Sequence, residues 1–207
     1  MASRDVIGQN ITVAGTHEPF LRSLDFRAPA GEVTLVPVDP GYGQVALALA
    51  IGGRVDLLTG SVTIAGSGVR ETLQSRTRLV DVADITAPEE ALKVAHVISE
   101  ELALAERPWS RRDVADFLAE RDLTDRAGDR WESLPAGIRT RLLLELGSWH
   151  PGAGVVVLTG PDRHGGDPEP WLTLAHRLAE RGLTIIVICS PTTASLLTSG
   201  LAQEARS

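Results

Sequence analysis

Short apolar runs rich in β-branched residues recur along the chain and predict β-strands. Three of these runs, at 32–38, 155–159 and 184–189, are almost continuously apolar, which is typical of strands buried on both faces of a sheet. Between the last two runs, apolar residues from Trp171 to Leu178 recur every three or four positions and predict an amphipathic helix. Strand, helix and strand at this spacing predict a βαβ unit, and therefore an α/β fold with a parallel sheet.

The middle of the chain has a different periodicity. From about Pro88 to Asp122 the apolar residues follow a helical spacing, and Ser110 followed by Asp113 is typical of a helix start. This block contains no strand-like run. We interpret it as a small helical insertion, about residues 86–135, within a single domain that takes in all 207 residues.

Composition excludes several classes of protein. The net charge of −7 argues against nucleic-acid binding, because neutralising phosphates requires a basic face. Cys189 is the single cysteine, so the sequence predicts no disulfide framework, no thiolate metal cluster and a reducing, cytoplasmic setting. The five histidines share no ligand spacing, and we expect no metal site. The amino terminus lacks the apolar core of a signal peptide, and no apolar run is long enough to span a bilayer.

Several residues outside these patterns invite a functional interpretation but have a structural one. Cys189 lies inside an apolar strand and is predicted to be an inert core thiol. Glu100 and Glu101 are predicted to lie on a solvated helix face. Trp109 and Trp149 either cap the edge of the core or anchor a partner protein.

The order of segments resembles the ATP-binding cassette (ABC) ATPase domain of ABC transporters over nearly the whole chain. The resemblance implies a P-loop NTPase-like parallel sheet core, an antiparallel N-terminal strand portion and a small helical insertion. Its specificity comes from the shared order and spacing of five segments, which are residues 20–36, 52–66, 134–146, 155–162 and 167–190.

By this resemblance the glycine turn after the first buried strand corresponds to the family's phosphate loop, the Walker A motif. The backbone glycines are kept in part, but Gln44 stands where the family has its lysine, and Val38 replaces the first glycine. The lysine neutralises the β- and γ-phosphates and the following hydroxyl ligates Mg²⁺, so both functions are missing. An ordinary turn that binds no ligand is the alternative. The candidate nucleotide-binding residues are Gly41, Tyr42, Gly43, Gln44, Val45 and Ala46.

The other motifs of the family are altered in the same way. Thr159 falls on the metal-associated aspartate of the Walker B motif, and Gly160 falls on the catalytic glutamate, so no carboxylate there polarises a water. Ser190 falls on the switch histidine. The signature-like segment is Leu134, Pro135, Ala136 and Gly137, the adenine-stacking aromatic falls on Ala14, and the glutamine after the next strand falls on Ala83 or Asp84.

These replacements imply a catalytically degenerate ABC-type ATP-binding subunit with no catalytic residue, no metal and at most weak ATP binding. The implied partner is a membrane permease or a second ABC ATPase subunit, with a homodimer as a further assembly, and the implied location is the inner face of a bacterial membrane. The chain ends at Ser207 without the family's closing strands, so we expect no dimer-supporting tail.

Two other functions stay open at this point. The first is a divergent but active ABC-type ATPase that energises export or import, with Asp39, Asp162 or a partner's arginine supplying the missing groups. The second is a nucleotide-independent protein-binding module, in which the helical insertion grips the cytoplasmic loops of a permease.

Overall fold

A computed structural model describes residues 5–204. Strands and helices alternate along most of this range, and two short 3₁₀ turns, Thr124–Arg126 and Trp131–Ser133, interrupt the middle. Residues 205–207, the end of the stretch for which we predict no dimer-supporting tail, lie outside the described part. The elements are β1 (Val6–Val13), β2 (Leu21–Ala28), β3 (Val33–Pro37), α1 (Tyr42–Ile51), β4 (Leu57–Ile64), α2 (Arg70–Arg76), β5 (Thr77–Val80), α3 (Val94–Leu104), α4 (Arg111–Ala119), α5 (Ala136–Ser148), β6 (Val155–Thr159), α6 (Glu169–Glu180), β7 (Thr184–Cys189) and α7 (Pro191–Glu204).

A four-stranded parallel sheet with the order β3-β7-β6-β5 forms the centre of the structure. Every residue of β6 and β7 is buried, as their unbroken apolar sequences predict. The prediction that β3 is buried on both faces is wrong, because β3 is an edge strand in which only Val36 is fully buried. The parallel sheet confirms the predicted α/β class.

A second, antiparallel sheet with the order β2-β1-β4 confirms the predicted N-terminal strand portion. Helix α1 packs between the two sheets, and its residues Leu47 and Ile51 are completely buried. They share one apolar cluster with residues of β1, such as Ile11, and of β6, such as Val157. This packing fixes the start of α1 at the carboxyl end of the parallel sheet.

The helices between β5 and β6 lie in the stretch where we predict an insertion. The capping box predicted at Ser110 and Asp113 is present, with each side chain bonded to the other residue's backbone N–H. The prediction of helix from Pro88 is wrong, because α3 begins only at Val94. Residues before it instead pair antiparallel with the chain near Arg130. The division of the chain into one domain with this insertion stays a prediction.

The structure tests the predicted exposure of three side chains near these helices. Glu101 is wrongly predicted to be solvated: its side chain is 12% exposed and pairs with Arg78 at 3.1 Å. Its neighbour Glu100 is exposed as predicted. Trp149 caps the edge of the core, where its ring meets Phe117 edge-on at 5.6 Å.

Cys189 is a buried thiol at the end of β7, as the sequence predicts. Burial raises its pKa to about 12, and the nearby Asp162 carboxylate acts in the same direction. A thiol with this pKa stays protonated and unreactive at neutral pH. In the part of the chain that the structure describes, no helix combines the length and apolarity needed to cross a bilayer.

Replacing Leu146 of α5 by alanine tests this core. Leu146 is 0% exposed, so we expect its truncation to lower the free energy of unfolding in urea by about 2–5 kcal/mol. The matched control is Leu58→Ala at a side chain that is 59% exposed, for which we expect a change within about 0.5 kcal/mol. Equal effects of the two truncations would contradict the assigned packing of α5.

Candidate functional site

The turn between β3 and α1 is built around glycine. Gly41 adopts φ 123° and ψ −154°, a backbone conformation that side chains exclude. The next residue, Tyr42, projects to the surface with 69% of its area exposed. Its ring contacts that of Phe20 with centroids 5.2 Å apart. The turn therefore combines a glycine-specific backbone conformation with an exposed aromatic pair. The predicted adenine-stacking position, Ala14, is exposed and has no ring.

Gln44 does not point outward as a phosphate ligand would. Its amide nitrogen donates to the carbonyl oxygen of Val38 at 2.9 Å, and the residue is 7% exposed. The amide of Gln44, which stands at the predicted lysine position, is thus used in a hydrogen bond within the turn. Behind it, Val45 is half-buried and Ala46 is buried, and neither has an oxygen that ligates a metal.

The end of β6 lies against this turn. A Cβ atom placed on Gly160 would be 3.1 Å from Gln44 Oε1 and 3.7 Å from Arg163 Cδ. Thr159 is 2% exposed, and its hydroxyl oxygen has no hydrogen-bond partner in the structure. The structure therefore brings together the predicted Walker A and Walker B positions, and both lack the charged groups of the family.

An ion pair between Asp81 and Arg163 lies beside these positions. Arg163 donates from Nη2 to Asp81 Oδ1 at 2.5 Å and from Nη1 to the Asp81 carbonyl at 2.5 Å. Nη1 also reaches the carbonyl oxygen of Thr159 at 3.3 Å, and Nε donates to His164 Nε2 at 2.9 Å. Every nitrogen of the guanidinium is therefore engaged within the chain.

Sequence reasoning missed this pair. The assignment of the family's glutamine to Ala83 or Asp84 stays a prediction, and both residues line the same cavity as Asp81 and Arg163. A usable signal existed, because Asp81 follows β5 directly and Arg163 follows β6, which are neighbouring parallel strands. Polar residues just after neighbouring parallel strands lie at the same edge of a sheet.

Burial governs the protonation of this cluster. Burial raises the pKa of Asp81 to about 6, against the opposing effects of Arg163 and, more weakly, Arg139. His164 shifts in the opposite direction: burial lowers its pKa, and the same two guanidiniums add to the shift. The hydrogen bond from Arg163 to its Nε2 is consistent with a neutral ring.

The predicted switch position is held by a hydrogen-bond network. The Ser190 N–H donates to Asp162 Oδ2 at 3.1 Å, and the Thr193 hydroxyl donates to the same oxygen at 2.8 Å. Burial alone would raise the pKa of Asp162, but these bonds hold it below its usual value. Asp162, a candidate to supply the missing catalytic groups, therefore accepts hydrogen bonds at the start of α7.

The signature-like segment begins α5 and packs against the loop that precedes α6. Leu134 is buried, and Pro135 supplies the residue before the helix without an N–H. A Cβ atom on Gly137 would lie 2.4 Å from the Asp167 carbonyl oxygen, and one on Gly166 would lie 3.2 Å from the Ala136 Cβ. Close packing within the chain accounts for the glycine kept at 137.

A polar cavity of about 550 Å³ opens beside the ion pair. Its wall combines the Asp81–Arg163 pair with Arg139, Glu90 and His164. His164 Nδ1 lies 3.7 Å from Glu90 Oε1. In residues 5–199, no group of three or more His, Cys, Asp or Glu side chains is arranged to hold a metal ion.

Comparisons with known proteins agree with this architecture. No family model matches the chain. One curated protein, of Streptomyces coelicolor and named "Putative ABC transporter ATP-binding protein SCO2324", is 36% identical over 66 residues. That match takes in 30% of this chain and 12% of the relative, so the chain corresponds to a small part of that protein.

Solved structures match over almost the whole chain. An ATP-binding subunit of an ABC transporter has a TM-score of 0.62 at 16% identity, over 92% of this chain and 81% of that one. The cbiO1 protein of Clostridium perfringens, described as part of the ABC transporter complex cbiONQ, has a TM-score of 0.61 at 14% identity, over 92% and 79%. The chain therefore has the fold of ABC transporter ATP-binding subunits.

Gly160 offers a test of the close approach between β6 and the turn. Gly160 has φ 58°, a left-handed conformation that costs a residue with a Cβ about 1–2 kcal/mol. We expect Gly160→Ala to lower the free energy of unfolding by that amount in urea titrations. Gly128→Ala is the control, since Gly128 has no positive φ and a Cβ there would meet no atom within 4 Å. A silent Gly160→Ala would refute the described backbone.

Proposed function

We propose that the protein is a catalytically degenerate ABC-type ATP-binding subunit that acts as a structural or regulatory partner of a membrane transport protein. The observation that carries this proposal is the hydrogen bond from Gln44 to the Val38 carbonyl inside the turn between β3 and α1, the predicted phosphate loop. Phosphoryl transfer depends almost entirely on positioning and charge, and here the residue at the lysine position is neutral, buried and already bonded.

Without a lysine at the position of Gln44, we expect a large loss of affinity for ATP. A hydrogen bond to a charged group contributes about 1.5–3 kcal/mol, which is a factor of about ten to one hundred in affinity. The metal contribution is lost as well, because Val45 has no side-chain oxygen and Thr159 has no carboxylate. Arg163 does not replace the lysine in this arrangement, since its donors bond to Asp81, Thr159 and His164.

The same residues predict the behaviour of an assembly with a second ABC ATPase subunit or a second copy. In the family, the phosphate loop of one subunit faces the signature segment of the other across the bound ATP. This chain would disable one composite site through Gln44 and Gly160, and it would weaken the other through Pro135, which has neither hydroxyl nor N–H. A competent partner subunit would not restore normal turnover.

Calorimetry and a hydrolysis assay test the loss of ATP chemistry. We expect no binding of ATP with Mg²⁺ tighter than about 1 mM. We also expect no phosphate release above background, whether the chain is alone or mixed with a membrane protein encoded by an adjacent gene. Gly41→Ala and Gly66→Ala are matched variants, because both glycines have positive φ and a Cβ on either meets no atom within 4 Å. Turnover that Gly41→Ala abolishes and Gly66→Ala preserves would overturn the proposal.

The second candidate function, a protein-binding module that needs no nucleotide, is favoured by a surface cleft. A groove of about 870 Å³ runs along α3 and the 85–89 loop. It carries the exposed apolar side chains Ile85 and Leu104, which are 55% and 51% exposed. Apolar side chains gathered in a groove are typical of protein contact sites. We propose this groove as the contact with the membrane protein, which would place the chain at the inner face of the membrane.

Leu104→Glu tests that contact. We expect the charged side chain to reduce co-purification with the neighbouring membrane protein at least tenfold, because an apolar interface does not accommodate an unpaired carboxylate. The control is Leu58→Glu, at a side chain that is 59% exposed on β4. Co-purification that is unchanged in Leu104→Glu, or that requires ATP, would reject the nucleotide-independent contact.

A further inference from the structure

The segment between β5 and α3 is held to the loop after β6 by contacts of its first residue, Asp81. Asp81 is the residue directly after β5, and the segment 82–93 continues from it to the start of α3. Within it, the N–H groups of Ile85, Thr86 and Ala87 all donate to the Val82 carbonyl at 2.9–3.1 Å, and the Thr86 hydroxyl accepts from the Val82 N–H. The 82–87 turn is therefore a compact unit that moves with Asp81.

Arg163 holds this unit against the loop after β6. It contacts Asp81 through both the carboxylate and the backbone carbonyl, and it contacts the carbonyl of Thr159, the last residue of β6. The Asp81 side chain is 6% exposed, against 26% for Arg163. Gly160 lies beside the guanidinium, and a Cβ there would be in ordinary van der Waals contact with Arg163 Nη1 at 3.8 Å.

We propose that Asp81 and Arg163 form a brace that fixes the segment before α3 against the loop after β6 without any nucleotide. The brace lies beside the predicted Walker B position, Gly160, at which a Cβ would be 3.7 Å from Arg163 Cδ. It presets the 85–89 loop, which forms one wall of the groove along α3. The inference concerns the isolated chain and does not depend on a partner or on the proposed function.

The brace has a defined response to protons. Burial raises the pKa of Asp81 to about 6, opposed by Arg163 and Arg139 and reinforced by Glu101, while Glu90 and His164 share the adjacent cavity. When the segment opens, Asp81 becomes solvated and its pKa returns to about 3.9. The closed form therefore binds a proton more tightly than the open form, and by linkage it is favoured as the pH falls through 6. Protonation removes the cost of burying the Asp81 charge, and Arg163 keeps its bond to the Asp81 backbone carbonyl. The segment is therefore closed more firmly in acid and less firmly as the pH rises, where the carboxylate is charged and paired.

Hydrogen exchange of the amides of Ile85, Thr86 and Ala87 tests the brace. In wild-type protein, rates corrected for intrinsic pH dependence should be slower at pH 5 than at pH 7.5, and Asp81→Asn should remove this difference. Arg163→Ala should speed exchange at pH 7.5 about tenfold or more, because it leaves a buried carboxylate without its partner. At pH 5, where Asp81 is protonated, the same variant should have a smaller effect.

The double variant Asp81→Asn with Arg163→Ala separates a brace from a packing effect. Because the asparagine removes the unpaired charge, the double variant should exchange more slowly than Arg163→Ala at pH 7.5. Glu145→Gln is the control, since it breaks a different ion pair, with Arg121, in the helices between β5 and β6. If Arg163→Ala does not fold, Asp81→Asn alone decides: a pH difference that persists in it, or that is absent from wild-type protein, overturns the inference.

Discussion

The complete burial of β6 and β7 is the constraint on which the rest of the structure depends. Two central parallel strands with no exposed residue require cover on both faces, and α1 and the antiparallel sheet provide it on one side. Helices α5 and α6 provide it on the other, where their apolar residues join one cluster with those of the strands. Because the strands are parallel, the segments after β3, β5, β6 and β7 are brought to one edge. Gln44, Asp81, Arg163 and Ser190 lie in these segments, within or just after the loops.

Several polar groups at that edge bond to one another, although the Thr159 hydroxyl has no hydrogen-bond partner in the structure. Gln44 bonds to Val38, and Arg163 bonds to Asp81. Ser190 bonds to Asp162 on the same loop as Arg163. Gln44 and Ser190, which stand at two of the predicted catalytic positions, are thus bonded within the chain, and this supports the proposal of a settled scaffold. The cost of burying Asp81 is visible in its raised pKa, since a buried ion pair only partly offsets the loss of hydration.

Most of the fold could be predicted from the sequence because it is encoded in local patterns. Unbroken apolar runs located β6 and β7, and the capping box located the start of α4. The burial of β3 was overestimated, because a run such as 33–37 is equally apolar at the edge of a sheet and at its centre. The start of α3 was placed too early, because helical spacing before Val94 competes with pairing to a distant segment near Arg130.

The site was predictable in its outline but not in its contacts. The resemblance predicts that Gln44 stands at the family's lysine position, yet nothing local in the sequence indicates that its amide turns inward to Val38. The Asp81–Arg163 pair joins residues 82 positions apart, and such a contact follows from the order of strands rather than from any motif. The sequence offers Asp162 only as an acidic residue that could supply a missing group. Its hydrogen bond from the Ser190 N–H depends on the geometry of two loops that are distant in sequence. The division into a domain with a helical insertion remains a prediction.

A crystal structure of the protein grown with excess ATP and Mg²⁺ tests the central claim most directly. The account predicts that Gln44 still bonds to the Val38 carbonyl, that Arg163 still bonds to Asp81, and that no triphosphate lies on the turn around Tyr42. A nucleotide whose β- and γ-phosphates lie on the 41–46 backbone with a bound magnesium ion, and an Arg163 released from Asp81, would contradict it.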